Sequence, residues 1–448
     1  MLPLPPIDAA SDTLLRRITV FHACGNDSPV HAMTQYVLRI SEALRAIGVA
    51  SYVLTDMPRC QVPARYAEMT IPDIDWITLH AETIRSLAGA TLPILHLHMS
   101  HPHHGTLVSQ RLVAELPTVI TCHEHRTKSD NDQHIQRDYC RLAERVMVSS
   151  AAEADALEED AEVRRRLISK SVGAPRLVFP VPPNITPTAD ALVQIRDGIA
   201  WFGMFRNGHD WDLLAEVVKV VRRRLPGTKL HLIGAAMNPR SLLTVLDKIF
   251  GKSFASLTAA ASQKVPEVDR MVLGKLKRFV ATGSHAHLRG GDVYLHLDLE
   301  ATEVSKLLMA SRCAFVLRPP DEWDHSGSLA ALLAHGVPTI AAYVSDTGEH
   351  CQPQKWIGVV DGLAGATVQE TANKIVCRLE SLLSTQEEWL SFQRRGLKHA
   401  CDSNQDALAQ GCCMVYREVA SSRYEFLKYA HHDVSSVPFP NLIAARSA

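Results

Sequence analysis

Long apolar runs are missing from this chain. No stretch of 18 or more apolar residues occurs among its 448, which argues against a membrane-spanning helix. The opening residues, MLPLPPIDAASD, have neither the basic start nor the apolar run of a signal peptide. The expectation is a cytoplasmic protein, with peripheral contact to the inner face of the membrane left open. A net field of either sign is missing too. Lys and Arg number 47 against 48 Asp and Glu, for a net charge of −1, so nothing global attracts nucleic acid. Aromatic residues are scarce at 6%, while Ala, Leu and Val are plentiful, as in parallel sheets covered by helices. The ten cysteines show no CxxC spacing, and several lie in apolar runs such as VITCHE and SRCAFVL. That pattern reads as free buried thiols and not as a disulfide framework.

What is present is an alternation of short β-branched runs with longer segments of helical period, the signature of βαβ units. In the first half the strand candidates are RITVFHA from Arg17, ASYVLTD from Ala50, PILHLHM from Pro93, PTVITCHEH from Pro117, RVMVSS from Arg145 and PRLVFPV from Pro175. The first helix carries apolar residues at Tyr36, Val37, Ile40, Leu44 and Ile47, three or four apart. The Pro-rich stretch VPPNITPTAD from Val181 marks a boundary. The rhythm then restarts with GIAWFGM from Gly198, KLHLIG, VYLHLD from Val293, CAFVLRP from Cys313 and VPTIAAY from Val337.

The length predicts two domains. These are an α/β Rossmann-like domain over 1–186, a second over 187–400, and C-terminal helices over 401–448 that cross back to the first. An insertion at 235–291 has nine Lys or Arg against three Asp or Glu. It reads as a solvated helical element or as an acceptor- or membrane-surface element.

Ligands of doubly wound sheets bind at the carboxyl ends of the strands, so the candidates lie there. DEWDHSGSLAALLAHGVPTIA, from Asp321, places Ser326, Gly327 and Ser328 at the opening of an apolar helix that runs to Gly336. Ser caps a helix and Gly permits close approach. The unpaired N–H groups and positive dipole end there suit a diphosphate. FGMFRNGHDW, from Phe202, offers a glycine loop and a cation in Arg206. Histidines crowd LHLHMSHPHHG (His96, His98, His101, His103, His104) and CHEHR (His123, His125). They suit either a sugar hydroxyl and proton transfer or a divalent metal. No carboxylate or cysteine at convincing spacing completes a metal site. In the first loop, from Cys24 to Val30, Gly25 marks a tight turn and Asn26 follows it.

Together these segments resemble the large retaining glycosyltransferase family 4, of the GT-B fold, over roughly residues 17–420. The resemblance implies two Rossmann-like doubly wound domains facing across a cleft. It implies a nucleotide sugar as donor and a glycan, lipid-linked or small-molecule acceptor, with neither cofactor nor metal. It gives His123 a catalytic place beside the donor sugar. Arg206, Asn207, Gly208, Glu322, Ser326, Gly327 and Ser328 fall on the donor side, and Gly25, Asn26 and His98 on an acceptor-side loop.

The donor motif departs from the family. Its paired Glu residues would fall on Ala331 and near Trp323, with Asp321, Glu322 and Asp324 out of register. The expected Lys aligns with Asn207. Diphosphate recognition is retained better than ribose recognition. Two rival readings stay open: a non-catalytic sugar-nucleotide-binding or partner-binding protein of this fold, and a metal-dependent hydrolase built on the His96–His104 cluster.

Overall fold

The computed structural model describes residues 12–23, 32–99, 108–123, 129–169, 177–188, 196–203, 211–234, 293–297, 299–318, 323, 326–342, 357–360 and 366–423. The chain divides into two compact units. One comprises Met1–Pro180 with Gln405–Ala448, the other Val181–Asn404.

The first unit holds a six-stranded parallel sheet of order β3-β2-β1-β4-β5-β6. Its strands are β1 (Ile18–Ala23), β2 (Ala50–Leu54), β3 (Thr70–Ile71), β4 (Leu92–Met99), β5 (Thr118–Cys122) and β6 (Arg145–Val148). Every residue of β1, β4 and β5 is buried, which is why these strands read as continuous apolar runs. Side chains alternate between the two faces. Phe21, Ala23, Leu95, Leu97, Met99, Ile120 and Cys122 join one core cluster on one face. His22, His96, His98 and Thr121 take the other, beneath α1 (Ala32–Ala46) and the C-terminal helix Gln405–Ser422. Helix starts on this scaffold are capped by serine, with Ser109, Ser129 and Ser150 each accepting a backbone N–H of the first turn.

The second unit repeats the pattern as β12-β11-β10-β7-β8-β9, all parallel. Its strands are β7 (Ile199–Phe202), β8 (Leu230–Gly234), β9 (Val293–Leu297), β10 (Cys313–Leu317), β11 (Thr339–Ala342) and β12 (Gly358–Val359). Counted from its own first strand, this is the same 3-2-1-4-5-6 order as the first unit, the order of dinucleotide-binding folds. The α/β doubly wound class is therefore what the chain adopts, twice. No helix among the described residues is long and apolar enough to cross a membrane.

Three details differ from the sequence reading. PRLVFPV is no sheet strand: among its described residues Val178 makes one isolated bridge, to Val148. The two-residue edge strands β3 and β12 are too short to leave an alternation in the sequence. The apolar helix after β10 spans Gly327–Ala334, and Gly336, at φ 64°, makes the turn beyond it. The cation Arg196 holds that end, donating to the carbonyls of His335 and Gly336 at 2.8 and 2.9 Å.

The C-terminal helix is tied to the first unit by close packing. A Cβ built on Gly411 would lie 2.6 Å from the Phe179 ring. Gly411→Val should therefore lose about 1–3 kcal/mol, measured as a lower urea midpoint with unchanged slope. A second expectation concerns His231 on β8, whose Nδ1 lies 3.1 Å from His296 Nε2. Burial first and Lys229 next lower it to about 4, opposed by Asp197. Its folded value lies below the unfolded one, so the unfolded chain takes the proton first. The contribution is whole above about pH 6.5 and is lost as pH falls from there toward 4, by at most about 1.4 kcal/mol per pH unit. His231→Phe should reduce the fall in urea stability between pH 7 and pH 5.

Candidate functional site

In doubly wound sheets the ligand crevice opens where strand order reverses, beyond the carboxyl ends. In the second unit that point lies between β7 and β10, which are paired neighbours. The chain leaves β10 through Arg318, whose carbonyl accepts from Trp323 Nε1 at 3.0 Å. The Trp323 carbonyl accepts in turn from the Ser326 N–H at 3.1 Å. Trp323 is buried, so an aromatic anchor fixes the approach to the helix.

Ser326 is the N-cap, and its Oγ accepts from Leu329 N at 3.1 Å. The cap thus satisfies one of the orphan donors of the first turn, and helix geometry leaves the Gly327 and Ser328 N–H groups without intrahelical partners. Gly327 and Ser328 keep partial solvent exposure, while Ser326 itself is buried. The sequence thus placed the helix start correctly beyond β10.

The role expected for Gly327 changes. A Cβ there would meet the Asn184 Cβ at 3.2 Å, and Asn184 N donates to the Gly327 carbonyl at 3.2 Å. The glycine admits the Pro-rich stretch and not a ligand alone. Asn184 was not a candidate in the sequence, and its Oδ1 is buried with no hydrogen-bond partner. Ala331, where the resemblance places a carboxylate, is 0% exposed in a cluster with Trp323, Leu329 and Leu332. A charged side chain at that depth would be costly among these apolar neighbours unless it were paired. At the helix end His335 Nδ1 donates to the Ala331 carbonyl at 2.7 Å, so its Nε2 accepts from Ser305 Oγ at 2.9 Å. Burial holds its pKa down, in keeping with this neutral tautomer.

In the first unit the reversal lies between β1 and β4, with His22 and His96 directly in register. His123 follows β5. Its N–H donates to the Met99 carbonyl at 2.9 Å, and its ring meets Tyr36 edge-on at 5.1 Å. Tyr36 also meets His98 edge-on at 5.6 Å, and His98 stacks with His96 at 4.1 Å. His123 therefore heads a column of rings that runs back under α1.

His98 needs correcting. It does not belong to a loop but to the interior of β4, with 0% exposure, because strand alternation turns it onto the helix-covered face. His96 is equally buried, so this part of the histidine cluster offers no open coordination position that a substrate could reach, as metal hydrolysis requires. Burial, with smaller effects from neighbouring histidines, holds both rings uncharged. Gly25, Asn26, His101, His103, His104, His125, Arg206, Asn207, Gly208, Asp321, Glu322 and Asp324 lie outside the described residues, as does the basic segment 235–291. A shallow pocket lined by Asp197, Gly198, Thr228, Arg312 and Glu380 sits at the amino ends of β7, β8 and β10, the ends opposite to those that bind ligands in such sheets.

No protein-family model matches the chain, and no curated protein sequence matches it. Solved structures do. Sucrose-phosphate synthase from Thermosynechococcus elongatus superposes with a TM-score of 0.56 at 16% identity, over 91% of this chain and 100% of that one. The pneumococcal O-GlcNAc transferase GtfA, in complex with UDP and GlcNAc, gives 0.56 at 9% identity, over 93% and 100%. A glycosyltransferase from Rickettsia africae gives 0.56 at 10%, over 90% and 98%. At such identities the likeness establishes the fold alone: two Rossmann-like α/β domains of the GT-B class.

Removing the Ser326 hydroxyl leaves the Leu329 N–H unpaired. Ser326→Ala should lower stability by about 1 kcal/mol, readable as a reduced urea midpoint.

Proposed function

We propose that the chain is a glycosyltransferase that moves a sugar from a nucleotide-activated donor to a glycan, lipid-linked or small-molecule acceptor. The observation that carries this reading is the start of the Gly327–Ala334 helix, directly beyond β10 at the strand-order reversal of the second sheet. Oriented N–H groups there suit the charge that develops as a nucleoside diphosphate departs. In this reading Arg206, Asn207 and Gly208, which follow β7 in the sequence, complete the grip on the diphosphate. Two proteins of similar fold support the donor class: the pneumococcal O-GlcNAc transferase is described with UDP and GlcNAc, and an Anabaena protein, HepE, with UDP and glucose at 11% identity.

In this reading the transfer is retaining and needs no metal at the phosphates. The departing phosphate takes the acceptor proton, and His123 positions the donor sugar, backed by Tyr36. Gly25 and Asn26 cover the acceptor side.

A screen of UDP, GDP, TDP and ADP by thermal unfolding tests the donor site. One of them should stabilise the protein by about 2.7 kcal/mol at a hundred times its Kd, whereas the matching nucleoside should do little, because the ribose carboxylate is replaced by Ala331. Ser328→Asp places a negative charge in the first turn, which favours the helix but opposes the diphosphate. It should keep the melting temperature and weaken the nucleotide at least about 10-fold. No stabilisation by any nucleotide would remove the donor site. His123→Ala should lower sugar transfer about 100-fold while leaving nucleotide stabilisation intact, and unchanged turnover would take His123 out of the reaction.

The buried Ala331 favours a second reading, a non-catalytic protein that binds the sugar nucleotide. Nucleotide stabilisation without product from any donor and acceptor pair would select it.

A further inference from the structure

Three histidines converge beneath the first sheet. His22 on β1 and His96 on β4 are register partners, and His98 lies two residues further along β4 on the same face. All three are 0% exposed, and one ligand atom from each lies within 4.8 Å of the others. A H-x-H pair on one strand and a histidine from its neighbour can supply three imidazole ligands to one ion.

The geometry bears this out in part. In a tetrahedral zinc site with Zn–N near 2.0–2.1 Å, neighbouring imidazole centroids stand about 5.2 Å apart. The His22–His96 and His22–His98 centroids are 5.1 and 5.2 Å apart, and only His96–His98, stacked at 4.1 Å, must open.

The hydrogen bonds allow that adjustment. His22 Nδ1 and His98 Nε2 face each other at 2.9 Å, somewhat closer than the roughly 3.3 Å that two nitrogens on one zinc require. The far nitrogens, His22 Nε2 and His98 Nδ1, are buried without partners. Whichever tautomers the two rings adopt, one buried N–H and one buried lone pair stay unpaired, each at a cost of about 1–3 kcal/mol. Tilting either ring toward a common centre therefore gives up only their mutual hydrogen bond. His96 differs: Tyr416 Oη lies 2.6 Å from its Nδ1 and Thr121 Oγ1 2.7 Å from its Nε2. One hydroxyl yields to the ion, and the other becomes the outer hydrogen bond that orients a ligating imidazole.

We propose that His22, His96 and His98 form a closed zinc-class metal site, with a trapped water or hydroxide as the fourth ligand, that locks β1 to β4 beneath the C-terminal helix. The ion replaces the proton shared by His22 and His98. The site has no route for substrate, and the proposal is independent of the sugar-transfer reading, whose chemistry needs no metal.

The test uses the full chain, stripped with a chelator, dialysed and titrated with cobalt(II) and then zinc. One equivalent of cobalt should develop the visible absorption of a tetrahedral nitrogen-ligated ion, zinc should displace it, and zinc should raise the melting temperature by several degrees. His22→Gln and His98→Gln should each weaken binding about 100-fold or more. The wild-type spectrum stands as a test even if these variants fold poorly. Absence of saturable cobalt or zinc binding by the wild-type chain would overturn the site, as would binding unchanged in both variants, which would place the ion on other histidines. A loss of sugar transfer with the metal site intact would bear on the proposed function alone.

Discussion

The parallel pairing of β1 with β4 is the constraint on which the first unit depends. Register along this pair runs from Ile18 opposite Leu92 to Ala23 opposite Leu97, and because side chains alternate, a slip of one residue would put His22 on the opposite face from His96 and His98. One face then carries Phe21, Leu95 and Leu97 into an apolar core, and the other carries His22, His96 and His98 under α1 and the last helix. The same pairing places the point of strand reversal at the carboxyl ends of β1 and β4. The core and the histidine cluster of this unit thus descend from one alignment of two strands.

The second unit reaches the same strand order with different chemistry at its reversal point. Small and apolar residues dominate the helix Gly327–Ala334 beyond β10: Gly327 lets Asn184 approach, and Ala331 is fully enclosed. The start of the helix is held by Trp323 and the Ser326 hydroxyl, and its end by Arg196. A helix pinned at both ends presents its first N–H groups in a fixed direction, which is the property that anion recognition needs.

Much of the architecture was legible because buried parallel strands write themselves as apolar runs. All but the two-residue strands could be located, and so could the capped helix at Ser326. The failures have physical reasons. PRLVFPV has strand composition, but among its described residues Val178 makes a single isolated bridge and no ladder, because composition does not specify a neighbour. His98 looked like a loop residue in a histidine-rich stretch, and only alternation along β4 reveals its depth. His22 could not be joined to His96 from sequence, since register between strands over 70 residues apart leaves no local trace. Asn184 hid in a Pro-rich stretch read as a domain boundary. Tyr36 was visible only as one apolar position of an amphipathic helix, whereas the structure sets it edge-on to His98 and His123.

The closure of the first unit by its last helix has a consequence for synthesis. Tyr416, Cys412 and Val419 are core residues of that unit, yet more than 200 residues of the second unit are translated between Pro180 and Gln405. The amino-terminal sheet must wait on the ribosome with one face covered by α1 alone while the intervening domain emerges and folds as a block. The histidine face is the part left waiting, so the nascent chain is open to misassociation at a surface that the finished protein buries.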